Sequence, residues 1–237
     1  SMEATGVQGE YIRDGLDYDL WMSNIHRVLK EAKIDKLYMM MTINSLCLNS
    51  ITEFMDEMLD LREEYGERAP VISLNILRFP SFQSAAILPE EIKSHYKEKI
   101  DKWINSERPQ AMLDEGEKAS VVRLVDYLDI VKTPHKNTAE TPKLYNDFKT
   151  FFSQYDIRRE KDFISTFPGP LAEWFKSLEA DVPSESDIKS KTISLVSLDR
   201  TGDPANTDAY GSGDDDHETV GGWDTEKDAL GGVNVDE

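Results

Sequence analysis

LYMMMTINSL (residues 37–46) and VISLNILRF (residues 71–79) decide the fold of this 237-residue chain. Each is a short apolar run of strand length, too short for a helix with the same pattern. The first reads as a strand buried on both faces. The second is apolar apart from Asn75 and is closed by Pro80. Between them Ser50 and Glu53 have the spacing of a capping box, and Ile51, Phe54, Met55, Met58 and Leu61 recur at helical intervals. Gly66 stands where the helix must end. Continuous apolar strands separated by a helix predict a parallel sheet with helices over both faces, an α/β fold.

Outward from this unit, Asp17 can cap a helix whose apolar positions are Trp21, Ile25, Val28, Leu29 and Ala32. Before it, SMEATG (1–6) reads as the tip of a buried strand, followed by a polar loop. Downstream, the loop PSFQSAAIL leads to Pro89-Glu90-Glu91, a helix start with acids where the dipole favours them. Ile92, Tyr96, Ile100, Trp103 and Ile104 carry that helix on. Another is expected from Glu117 to Val131, with Val121, Leu124, Val125 and Leu128 inward. Shorter helices are expected at 145–155 and 171–178, around Phe167-Pro168-Gly169-Pro170. Two full strands and a stub are too few for a complete α/β domain, so further strands are expected upstream.

The net charge of −19 argues against a nucleic-acid or anionic-membrane surface, both of which need dense Lys and Arg. Residues 201–237 carry eleven acids against Lys227, which leaves an ordinary balance for the rest. The text from about 181 is poor in core-forming residues apart from ISLVSL (193–198), so residues 181–237 are expected to be a disordered acidic tail behind a domain at 1–180. With one cysteine, Cys47, no internal disulfide can form. With no leader or membrane-spanning run either, the expected address is a reducing cytoplasm. Cys47 itself reads as a buried structural thiol.

Ser1-Met2-Glu3-Ala4-Thr5-Gly6, then Glu10-Tyr11-Ile12-Arg13-Asp14-Gly15 and a helix, resemble the fourth strand and loop of radical S-adenosylmethionine enzymes of the twitch or SPASM branch. TINSLCLNS, LNILRFPSFQSAAILPEE and YDIRREKDFISTFP agree with that family in order and spacing, so the likeness spans about residues 1–178. It implies the C-terminal half of a partial (β/α)6 barrel with extra C-terminal helices. The full-length enzyme would abstract hydrogen by a 5′-deoxyadenosyl radical formed from S-adenosylmethionine at a [4Fe–4S] cluster. The three-cysteine signature that holds such a cluster is absent from this chain, and is expected about 100–150 residues upstream, given a barrel's usual length.

Ser1, Glu3, Asn44 and Arg78 fall at or near carboxyl strand ends, where parallel α/β folds gather their sites, and are candidates for binding the cofactor. By the resemblance, Ser1 and Arg13 would contact the ribose hydroxyls and the methionyl carboxylate of S-adenosylmethionine, and Glu3 could accept from a ribose hydroxyl or the amino group. A guanidinium suits the carboxylate by offering paired, charge-assisted donors. The plainer reading pairs Arg13 with Asp14 or Asp17. Asn75, Gln83 and Ser84 are candidates for a pocket holding an unknown small-molecule or peptide substrate, although Asn75 also suits a role bracing backbone. His26, His95, His135 and His217 lack metal-ligand spacing, and Walker A, GxGxxG and GxSxG motifs are absent. Two alternatives stand beside the radical enzyme. One is a non-catalytic α/β interaction module whose acidic tail binds a basic partner. The other is a small hydrolase or transferase using Glu3 or Asp14 as base.

Overall fold

The two apolar runs pair in parallel: β1 (Leu37–Ile43) lies beside β2 (Pro70–Ile76), with Leu37 opposite Pro70 and Ile43 opposite Ile76. Parallel neighbours need a crossover, and α3 (Ile51–Tyr65) provides it. The computed structural model of the chain describes residues 1–131 and 140–190. Ser1–Ile188 form one unit, and Lys189 begins a second.

Side chains alternate along both strands. Met39, Met41, Ile43, Ile72 and Leu74 enter the core, whereas Tyr38 is 63% and Met40 53% exposed, and Asn75 is exposed too. Burial on both faces is the expectation for β1; one face is open because α3 and the helix α6 (Glu115–Ile130) pack on the other. Among the described residues the sheet has these two strands alone.

Residues 1–5 are not a strand. Met2 N–H donates to Met40 O at 3.1 Å, which ties the segment to β1 by a single bond. Gly6, at φ +51°, then turns the chain into α1 (Gly6–Ile12), where a polar loop was expected. Gly9 allows this helix to close on what precedes it: a Cβ there would sit 2.8 Å from Ala4 O.

In α2 (Tyr18–Glu31) the Asp17 carboxylate accepts from Leu20 N–H, as its position predicts. The capping box expected at Ser50 does not form. The Ser50 hydroxyl accepts from Thr5 N–H instead, and Glu53 pairs with Lys99 at 2.7 Å. The box forms at α6 (Glu115–Ile130), between Asp114 and Glu117. Before it come α4 (Glu90–Ile104) and α5 (Glu107–Met112). Every apolar position expected to face inward in α4 and α6 is buried, and the two helices pack on each other.

Glu117 is also the polar centre of this half. It accepts from Arg62 Nη1 at 2.8 Å and Nη2 at 2.6 Å, from Ile72 N–H at 2.8 Å and from Asp114 N–H at 3.0 Å. One buried carboxylate thus joins α3, β2 and the start of α6.

α7 (Glu140–Arg159), α8 (Phe163–Thr166) and α9 (Pro170–Ser177) complete the unit. Phe148, Phe152, Phe163, Phe167 and Phe175 are buried together, and Tyr11 of α1 enters among them. Tyr11 Oη donates to Asp156 at 2.6 Å, Tyr155 Oη to Tyr11 O at 2.7 Å, and Gln8 Nε2 to Thr166 O at 2.9 Å. Beyond α9, Ser184 Oγ accepts from Asp187 N–H, residues 185–190 are helical and Ile188 is buried. The ordered unit therefore extends past residue 180. ISLVSL and the acidic stretch after it lie outside the described residues. No helix among those described is long and apolar enough to cross a membrane.

Candidate functional site

Two loops meet at the carboxyl end of the strands. Leu77 N–H donates to Ile43 O at 2.8 Å, which extends the ladder past β2, and Ser45 N–H donates to Gln83 O at 2.9 Å, which joins the loops. Parallel α/β proteins place ligands at this edge because strand-tip backbone and loop side chains converge there.

Arg13, at the end of α1, donates from Nη2 to Ser1 Oγ at 2.8 Å and to the buried Glu3 carboxylate at 2.6 Å. The three residues proposed from the resemblance are therefore brought together. Asp14 is not the partner of Arg13; it pairs with Arg159 at 3.0 Å and Lys161 at 3.1 Å, and Asp17 is occupied as a cap. Arg13 Nε is buried and has no hydrogen-bond partner among the described residues. A guanidinium with one amino group committed and Nε unmet retains donors for an incoming anion.

Asn44 behaves differently. Its Oδ1 accepts from Leu46 N–H at 2.9 Å and Cys47 N–H at 3.0 Å, and its Nδ2 donates to Thr42 O at 3.2 Å. The side chain is spent on the turn that leaves β1. Cys47 lies in the same turn with no exposed surface, donating to Asn44 O. Burial pushes its thiol well above the ordinary range, and the nearby Glu3 charge adds to the rise. It is a structural thiol, as expected.

Asn75 and Arg78 are exposed at and beyond the end of β2, and neither side chain has a hydrogen-bond partner among the described residues. Asn75 therefore does not brace backbone, because it points to the open sheet face. Ser84 is buried and its hydroxyl accepts from Ala86 N–H at 3.3 Å, capping a short 3₁₀ turn; Gln83 contributes its carbonyl to Ser45. Neither is among the residues that line the cleft formed at Phe82.

That cleft has a volume of about 530 Å³ and is formed by Phe82 against Thr150, Phe151, Gln154, Tyr155, Arg158 and neighbours on α7. It was not anticipated. Its signal lay in KTFFSQYDIRR (149–159), where Phe151, Tyr155 and Arg158 recur at helical spacing. Phe82 and Phe151 have centroids 5.1 Å apart, and Phe151 and Tyr155 stack at 17°.

No group of His, Cys, Asp and Glu among the described residues could hold a metal ion. A lone buried thiol does not fit an iron–sulfur cluster, which needs three thiolates. His26 meets Tyr65 at 2.9 Å and Glu64 at 3.6 Å, while His135 and His217 lie outside the described residues. Compared with protein-family models, curated proteins and solved structures, the chain matches none.

Proposed function

We propose that residues 1–178 form the C-terminal part of a radical S-adenosylmethionine domain and supply one wall of its cofactor and substrate pocket. The observation that carries this is the Ser1–Glu3–Arg13 cluster, in a segment that Met2 ties to Met40 of a parallel strand pair and Thr5 ties to Ser50 beyond the strand end. Arg13 would receive the methionyl carboxylate, and Glu3 holds the guanidinium in place. Ser1 shares the same amino group and adds a hydroxyl for the ribose. The open face carrying Tyr38, Met40 and Asn75 agrees with a sheet whose remaining strands enclose a pocket. This chain's residues bind and orient; hydrogen abstraction would come from the cofactor and a cluster held elsewhere.

The test uses the coding sequence before Ser1. A Cys-x3-Cys-x2-Cys signature is expected about 100–150 residues upstream. The extended protein, reconstituted with iron and sulfide without oxygen, should release 5′-deoxyadenosine from S-adenosylmethionine under reduction. Arg13→Ala should weaken binding of the cofactor about tenfold or more, as loss of a charged hydrogen bond does. An upstream sequence without the three cysteines, or an extended protein that releases no 5′-deoxyadenosine, refutes the proposal.

The same exposed Tyr38 and Met40, with Phe79 at 85%, favour a second reading: a non-catalytic module that docks a partner on its open sheet face. In that case the upstream sequence leaves S-adenosylmethionine binding unchanged at zero.

A further inference from the structure

Independently of the radical-enzyme reading, we propose that the cleft between Phe82 and α7 binds a flat aromatic ligand carrying one anionic group. Its volume of about 530 Å³ lies in the range that takes small organic molecules. Phe82, Phe151 and Tyr155 supply ring faces, and Phe151 remains 40% exposed inside the concavity. An aromatic wall left open to water in this way gains most from a planar guest.

Charge fixes the orientation of that guest. Arg158 donates only to the neutral Gln154 Oε1, at 3.1 Å, and has no carboxylate partner among the described residues. Arg159 shares the single carboxylate of Asp14 with Lys161. On a chain of net charge −19, this end of the cleft is under-neutralised. Asp147, the one acid of the lining, lies eleven residues earlier on α7, about 16 Å away along the axis. An anionic group therefore sits at the Arg158 end, and the ring system lies between Phe82 and Phe151. Thr150 Oγ1, buried in the lining without a partner among the described residues, is left to meet a polar atom of the ligand.

The probes are 2-naphthoate, the uncharged 2-naphthylmethanol and the cationic 2-naphthylmethylamine, titrated into the full chain by calorimetry. Naphthoate should bind about tenfold more tightly than the alcohol at low salt, and the amine most weakly. Arg158→Gln should erase the difference between acid and alcohol without weakening the alcohol. Phe151→Ala should weaken all three, by about fivefold. Both residues are exposed, so both variants should keep the wild-type circular dichroism. Alcohol or amine binding as tightly as the acid, no saturable binding of any probe, or affinities that neither variant changes would each overturn the proposal.

Discussion

Replacing Glu117 by alanine should cost more stability than any surface substitution in this protein. The carboxylate is 3% exposed and accepts four hydrogen bonds, two from Arg62 and one each from the Ile72 and Asp114 amides. Truncation strands the buried Ile72 N–H, which costs about 1–3 kcal/mol by itself. Arg62 keeps Met112 O and Pro70 O, both at 2.7 Å, but loses its counter-charge. Breaking one side of a buried pair costs about 3–5 kcal/mol, and because these losses overlap we expect about 4 kcal/mol in all. For an ordered unit of this size that lowers Tm by roughly 12 °C. Glu117→Gln, which keeps the shape and one carbonyl acceptor, should cost about half as much. Urea unfolding followed by tryptophan fluorescence measures both variants. An alanine variant within 1 kcal/mol of wild type would refute the view that this carboxylate joins α3, β2 and α6.

Acid should weaken the same junction. Burial pushes the Glu117 carboxyl up, but the Arg62 donors and the two amides outweigh it and hold it below its ordinary value. Its contribution is therefore complete above the unfolded value of about 4.3 and is lost as pH falls through the lower folded value. The urea midpoint should drop over that interval in wild type and less in Glu117→Gln; equal drops would show that other carboxylates dominate. Gly9→Ala gains about 1 kcal/mol of helix propensity but places its Cβ 2.8 Å from Ala4 O, a backbone atom that cannot step aside. Overpacking of this kind costs about 1–3 kcal/mol, so a net loss is expected in thermal melts, and a stabilised variant would contradict the packing of α1. Cys47 should react with a thiol reagent on the order of a thousandfold more slowly in the native protein than in denaturant, because the group is fully buried and its ionisation suppressed. Equal rates would place the thiol at the surface.

The strand-helix-strand unit, α4 and α6 were legible because their apolar spacing and their burial are the same fact seen twice. α1 was not: GVQGEYI has two glycines and little amphipathic pattern. It becomes helical because Tyr11 finds rings supplied from more than 130 positions away. The capping signal S/D-x-x-E occurs at both Ser50 and Asp114, and sequence could not show that Thr5 would claim the first hydroxyl. Within the candidate site, the plainer reading of Arg13 as an ion-pair partner held in kind but not in residue: its acid is Glu3, brought back by the turn of α1, and not Asp14 or Asp17. Asn44 had a readable alternative, since asparagine just after a strand is suited to a turn closed by its own side chain. The aromatic and arginine stripe of α7 was also visible, but its opposing wall, Phe82, comes from a loop some seventy positions earlier.

The first helix is held in place by some of the last elements of its unit: Gln8 by Thr166, Glu10 O by Lys161, and Tyr11 by Asp156. Each of these bonds closes a loop of roughly 150 residues, and the chain entropy lost in doing so is recovered only when α7 and α8 have been made. On a ribosome, Ser1, Glu3 and Arg13 would leave the exit tunnel ahead of the rest of this unit, and α1 would lack its anchors until the end of α8 emerged. The Arg13 guanidinium is thus among the last features of this unit to be set, although α1 precedes every other helix of the unit in the chain.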